Sequence, residues 1–133
     1  MGNADNQLTG MAGEFLTLGK LFKKGLQASI TFGNAKAIDL FAENSKGKTY
    51  KVQVKTSKES KENFWMQENK IEPDYICVFV VLNDFENNED YYIVKGSKIL
   101  NDVDKFFIPS KTAIKYSSLT DYKDKWNVFD EWT

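Results

Sequence analysis

The chain has no histidine and no arginine. The first absence excludes a Ser-His-Asp triad, a histidine general base and any zinc site built on imidazole. The second leaves lysine as the sole basic side chain. A phosphate would therefore be met by a point charge and not by the two-pronged guanidinium fork. Cysteine occurs once, as Cys77 in an apolar run, so no internal disulfide can form. With no histidine to activate it, that thiol reads as a core residue and not as a nucleophile. No apolar stretch approaches the ~20 residues a membrane helix needs, and no secretory leader pattern is seen, so the expectation is a cytoplasmic protein with no membrane partner. Repeats, low-complexity tracts and linkers are also missing, and the 133 residues are expected to form one domain, 1–133, with one core.

Charge is unevenly placed. Residues 1–70 hold eleven lysines against seven acids, and residues 71–133 seven lysines against twelve acids, although the whole chain is only −1. A charged partner is expected at the N-terminal half.

The most informative stretch runs from Ile38 to Lys55. Ile38, Leu40 and Ala42 alternate with Asp39; Tyr50, Val52 and Val54 alternate with Lys51, Gln53 and Lys55; Asn-Ser-Lys-Gly-Lys lies between. This pattern predicts a β-hairpin with a five-residue, glycine-bearing loop. Pairing Glu43 with Thr49 sets Asp39 opposite Gln53, with Lys55 one pleat along on the same face. Opposed Cβ atoms lie about 4.5–5.5 Å apart, so one divalent ion could touch both side chains. A one-residue slip would turn Asp39 away.

Around the hairpin, Asn6 to Gly25 reads as a helix. Leu8, Met11, Ala12, Phe15, Leu18, Leu21 and Phe22 follow 3–4 spacing as its apolar face, and Gly25 is its stop. Glu14 lies at the edge of that face, either as an exposed helix glutamate or as a carboxylate aimed at the sheet. Gln27 to Phe32 alternates as a first strand, and Gly33 to Lys36 is a turn. Thr56 to Glu72 reads as a long basic loop with Phe64 and Trp65 as a lid on the core. Tyr75 to Leu82 is continuously apolar, the mark of a strand covered on both faces. Tyr91 to Val94 is a further strand. Gly96 to Val103 reads as a short helix capped by Ser97, and Phe106 to Ile108 as an extended piece. Ser118 to Trp132 reads as an amphipathic helix or turn, with Tyr122, Trp126 and Phe129 covering the core. The order of elements predicts an α/β sandwich around a mixed sheet.

The hairpin residues suit one kind of chemistry. Mg²⁺, or Mn²⁺ in its place, takes oxygen ligands and usually one or two carboxylates. Asp39 would be the principal ligand, with the Gln53 amide oxygen, the Val54 carbonyl and Glu14 as further donors. Lys55 would hold a phosphate oxygen or the attacking water and offset charge in the transition state. Hydrolysis of a phosphodiester needs no histidine in such a site. Polar residues on an exposed strand face can equally have no function.

Gly13-Glu14-Phe15, Ile38-Asp39-Leu40 and Val52-Gln53-Val54-Lys55 together resemble the PD-(D/E)xK nuclease superfamily. The likeness is to small members such as the archaeal-type Holliday-junction resolvases, and it covers about residues 8–82. It implies a restriction-endonuclease-like three-layer sandwich, with a central mixed β-sheet flanked by helices. It also implies a Mg²⁺-dependent endonuclease, usually acting on DNA and often a homodimer. By the same likeness Glu14 matches the family's first-helix acid, Asp39 its metal-binding aspartate and Lys55 its motif lysine. Gln53 departs from the usual glutamate, as in the Mrr-like restriction enzymes, and Ile38 stands where the family has proline. Lys20, Lys24, Lys58, Lys61 and Lys70 are the candidate nucleic-acid contacts. A module of the same fold that binds nucleic acid or protein without cutting stays open beside the nuclease reading, because Gln53 brings no charge to a metal.

Overall fold

A computed structural model describes residues 3–31 and 39–131, with side chains from Asn6 onward. Helix α1 (Asn3–Lys24) is followed by strands β1 (Gln27–Ile30), β2 (Leu40–Glu43) and β3 (Thr49–Ser57). Next come β4 (Phe64–Trp65), a 3₁₀ turn (Glu68–Lys70), β5 (Tyr75–Val81) and β6 (Asp90–Lys95). The chain continues through α2 (Gly96–Leu100), α3 (Val103–Phe106), β7 (Ala113–Ile114) and two 3₁₀ helices, Tyr116–Tyr122 and Trp126–Asp130. No helix among the described residues is long and apolar enough to cross a bilayer.

Five strands form one mixed sheet in the order β1-β2-β3-β5-β6. Only β3 and β5 run parallel; the other neighbours are antiparallel. Each residue of β5 is buried, as its unbroken apolar run requires of a strand with neighbours on both edges and cover on both faces. On one face Val52, Val54, Ile76, Val78, Val80 and Ile93 meet α1 and Phe129. On the other Cys77, Phe79, Val81, Tyr92 and Val94 meet Phe64, Ile99, Phe106, Ile114 and Leu119. The result is a three-layer α/β sandwich: α1 on one side, and the β4–β7 ribbon with α2, α3 and a 3₁₀ helix on the other.

The α1 helix stops where the sequence places its stop. Gly25 takes φ +96°, its N–H donates to Phe22 O, and Leu26 N–H donates to Leu21 O, both at 3.0 Å. Those are the paired bonds of a Schellman ending, and Leu21 and Leu26 supply its hydrophobic contact. The face that α1 turns to the sheet is a different one from that expected. Gly13, Thr17 and Leu21 are buried, whereas Leu8 (66%), Met11 (48%), Phe15 (48%) and Phe22 (54%) are largely exposed. Gly13 explains the choice. A Cβ there would lie 1.8 Å from Thr56 Oγ1, so the helix backbone rests directly on the β3 side chain. A side made of glycine and threonine lets the helix come closer than a side made of phenylalanine and methionine.

The hairpin pairs as expected from Leu40–Val52 to Glu43–Thr49. Asn44 closes its loop by accepting the N–H groups of Lys46 and Lys48 with Oδ1, both at 3.0 Å. Ile38, Phe32 and the turn Gly33–Lys36 lie outside the described residues.

Other expectations are corrected. Thr56 and Ser57 extend β3, and Phe64-Trp65 is a two-residue strand paired with Ala113-Ile114, so the expected long loop is partly ordered. Phe64 and Met66 enter the core, but Trp65 is 78% exposed and is no lid. Ser97 lies inside the first turn of α2; Lys95 holds the cap position, without a side-chain bond. Phe106 ends α3 and is not extended. Tyr122 packs against the Phe106 face, whereas Trp126 and Phe129 pack on the α1 face, so the C-terminal aromatics are divided between the two cores.

Candidate functional site

Asp39 stands where β2 gives way. The described ladder ends at Leu40–Val52, and the rung expected between Asp39 and Gln53 does not form. Asp39 N–H donates instead to Val52 O at 3.0 Å, while Asp39 O accepts Thr31 N–H at 2.9 Å. The carboxylate then does what a strand carbonyl would otherwise do: its Oδ2 accepts the Val54 N–H at 2.7 Å. That short, charge-assisted bond fixes the carboxylate against the edge of β3. In an extended strand the N–H and C=O of one residue point to the same edge. The Val54 carbonyl therefore faces the same edge of β3 as the Asp39 carboxylate.

Gln53 and Lys55 project from the face opposite Val52 and Val54. Gln53 is only 6% exposed, and its Oε1 is buried with no hydrogen-bond partner. Its parallel neighbour is Cys77. Burial pushes the Cys77 thiol up to about 12; the Lys55 charge opposes the shift and the Asp39 charge adds to it. Both charges thus bear on one thiol beside Gln53, and the Asp39 carboxylate is joined directly to β3 at Val54, between Gln53 and Lys55.

Cys77 itself is fully buried and held as the neutral thiol. It is expected to resist a disulfide reagent at neutral pH in the native protein and to react at once in denaturant, which a thiol titration reads directly.

Glu14 is set differently. It is half-buried on α1, one residue from the Gly13–Thr56 crossing, and α1 covers the face of β3 opposite Gln53 and Lys55. Among the described residues β2 pairs with β3 only as far as Leu40–Val52, and Glu14 would reach Asp39 around the edge of β3 beyond that rung. Thr56, which the sequence pattern does not single out, lies at this crossing with a buried, unpartnered Oγ1. The alternation of β3 continued through Thr56 and Ser57 would have marked it.

The lysines divide into two groups. Lys58 and Lys61 are exposed immediately after β3, at the Lys55 end; Lys70 is exposed in the 3₁₀ turn. Lys24 is ion-paired with Asp130 at 3.1 Å and borders a cavity of about 330 Å³ with Asn44, Ser45 and Lys46. It sits by the hairpin loop, at the opposite end of β3 from Lys55. Lys20 lies over the Tyr91 ring, 5.2 Å from its centre, on the β6 side of the sheet. Neither joins the Lys55 end, because α1 runs antiparallel to β3 and carries its last turns away from it.

The donor set fits a hard divalent cation in one respect that the structure itself supplies. A buried amide oxygen without a partner costs about 1–3 kcal/mol, and a cation at that position would satisfy it. Among the described residues no three His, Cys, Asp or Glu side chains cluster. An ion here would rest on Asp39, the Gln53 amide, the Val54 carbonyl and Glu14 at longer reach, a set suited to Mg²⁺ that keeps several waters.

No protein-family model matches the chain, and no curated protein does. Among solved structures it is similar to that of a bacterial homing endonuclease, I-Ssp6803I, with a TM-score of 0.65 and 19% identity. The likeness covers 93% of this chain and 91% of the other. The chain thus has the fold of that endonuclease over nearly its whole length.

Proposed function

We propose that the chain is a metal-dependent phosphodiesterase, an endonuclease that hydrolyses nucleic acid, with DNA as the substrate before RNA. In this reading it is a Gln-x-Lys variant of the PD-(D/E)xK superfamily, with one nuclease domain over residues 1–133. The observation that carries it is the Asp39 carboxylate anchored on the Val54 N–H beside the unpartnered Gln53 Oε1. The fold shared with an endonuclease supports it.

The residues divide the work. Asp39 and the Val54 carbonyl would hold the cation from the edge of β3, the Gln53 amide oxygen would be a further donor, and Glu14 would act at longer reach. The cation, when bound, polarises the scissile phosphate and lowers the pKa of water. Lys55 places a fixed positive charge against the phosphate oxygens as negative charge grows there. Lys58, Lys61 and Lys70 hold the flanking phosphates.

Lys55→Ala is expected to lower the single-turnover cleavage rate by about 10²–10³-fold, the usual scale for one preorganised electrostatic group. Metal affinity, read by calorimetry, should stay the same or rise slightly, because a nearby positive charge is gone. Binding to duplex DNA should weaken with salt at a log–log slope of about −3 if those three lysines each neutralise one phosphate. A salt-independent affinity would point to a protein partner.

Gln53 also favours a second reading. A neutral amide where an acid would strengthen the site suits a module that binds nucleic acid without cutting it. The two readings separate on one comparison. If wild type is inert with Mg²⁺ and Mn²⁺ while Gln53→Glu cuts, the chain is a catalytically degenerate nuclease.

A further inference from the structure

Directly after β3 the chain turns back over the face that carries Gln53 and Lys55. Ser57 ends β3 two residues beyond Lys55 and lies on the same face: its parallel neighbour Val81 packs with Cys77 and Phe79, the neighbours of Gln53 and Lys55. Ser57 is only 8% exposed, and its Oγ lies 2.8 Å from Glu62 Oε1. The Glu59 carbonyl is also 2.8 Å away, but the hydroxyl has one hydrogen, and the charged carboxylate makes the stronger bond. Two residues after Glu62 the Phe64 ring meets Phe79, level with Lys55, their centroids 5.1 Å apart. The loop is thus pinned to this face on both sides of Glu62, at the rung of Ser57 and at the rung of Lys55. Lys55 therefore stands between two anchored carboxylates on one strand: Asp39, bonded to the Val54 N–H at 2.7 Å, and Glu62, bonded to Ser57.

We propose that Glu62 is a positioning residue, whose carboxylate draws the Lys55 ammonium toward Ser57 and so keeps the Asp39 carboxylate open to a cation. The inference rests on the metal site proposed above and adds to it a residue that the strand pattern does not mark. The need is electrostatic. The Val54 N–H fixes Asp39 beside Lys55, and an ammonium that closes on that carboxylate takes the place a divalent ion would fill. Gln53 carries no charge to hold the ammonium elsewhere. A carboxylate on the far side of Lys55 supplies the opposing pull. Lys55 and Ser57 are about 7 Å apart along the strand, a gap that the four-carbon lysine stem spans. A loop staple would survive Glu62→Gln, because the amide oxygen also accepts the Ser57 hydroxyl. The pull on Lys55 would not.

The test is Mn²⁺ binding by calorimetry at about 0.15 M salt, with the full chain as wild type, Glu62→Gln, Lys55→Ala and the double variant. Glu62→Gln is expected to weaken Mn²⁺ binding about three- to fivefold, the fold-change of one exposed ion pair. In the Lys55→Ala background the same change should cost less than about twofold. Val54 and Ser57 are about 10 Å apart along β3, and salt screens charges at that range. An equal loss in both backgrounds would make Glu62 a direct ligand, and no loss in either would make it a loop staple; each overturns the inference. A second readout needs no metal. Carbodiimide treatment of the metal-free chain, followed by peptide mapping, should join Lys55 to Glu62 in wild type and to Asp39 in Glu62→Gln. Wild type that joins Lys55 to Asp39 overturns the inference. Wild type that joins Lys55 to Glu62 yet takes up no Mn²⁺ upholds the contact and overturns the metal site of the proposed function, so the two failures are read apart.

Discussion

Asp39→Asn is expected to abolish cleavage while leaving the chain folded. Asn has the same shape, and its amide oxygen can still accept the Val54 N–H that Asp39 now takes at 2.7 Å. What goes is the negative charge. The bond becomes neutral, at a cost of about 1 kcal/mol in stability, since charge-assisted bonds are roughly twice as strong as neutral ones. The site loses the carboxylate anchored on the Val54 N–H, and with Gln53 already neutral a cation would face two amides and a carbonyl, with Glu14 at longer reach as the one remaining carboxylate. The expected loss of rate is at least ~10³-fold, the upper end of what one preorganised group contributes. The measurement is cleavage of plasmid and branched DNA with Mg²⁺ or Mn²⁺, beside a thermal melt that confirms folding. Cleavage by Asp39→Asn at the wild-type rate would mean that the site is elsewhere.

The second large effect concerns the contact that holds α1 to the sheet. Gly13→Ala is expected to destabilise the protein by about 1–3 kcal/mol, the range for overpacking a close contact. Helix propensity argues the other way, since Ala is better than Gly by about 1 kcal/mol in a helix interior. Sterics prevail at Gly13: the added carbon would lie 1.8 Å from Thr56 Oγ1, 2.9 Å from its Cβ and 3.0 Å from its Cγ2. Rotating the threonine relieves the first contact but leaves the Cβ contact in place. At Gly10 nothing lies within 4 Å of the added carbon, so Gly10→Ala should stabilise by about 0.5–1 kcal/mol. Denaturant melts of the two variants should therefore move in opposite directions, and Thr56→Ala should recover part of the Gly13→Ala loss. Because Glu14 follows Gly13, a helix forced off β3 also carries that carboxylate away from the Lys55 end. A drop in cleavage larger than the loss of folded protein would report the displacement.

How much of this was legible in the sequence depends on which force fixes each residue. The hairpin register from Leu40 to Glu43 follows from period-two alternation, which leaves one way to bury Leu40, Ala42, Tyr50 and Val52 together. The burial of β5 follows from its unbroken apolar run, and the end of α1 from Gly25. The face of α1 was not legible. Periodicity marks its apolar stripe, but close approach favours the side made of Gly13 and Thr17, and the stripe points outward. The β4–β7 ribbon was missed because two-residue strands carry no period to detect. In the candidate site, alternation alone puts Gln53 and Lys55 on one face. The Asp39–Val54 bond was hidden, because it arises where the ladder stops. The distance of Lys20 and Lys24 from Lys55 was hidden too, since it follows from the direction in which α1 crosses β3.

The central claim is that a divalent cation is held at the edge of β3 by Asp39, Gln53 and the Val54 carbonyl. The most direct measurement is anomalous scattering from a crystal of the wild-type chain soaked in Mn²⁺. The account predicts one ion about 2.1 Å from an Asp39 carboxylate oxygen, with the Val54 carbonyl and Gln53 Oε1 among its other ligands. A Mn²⁺ concentration that supports cleavage, with no ion at that edge or with the ion bound to other residues, would contradict it.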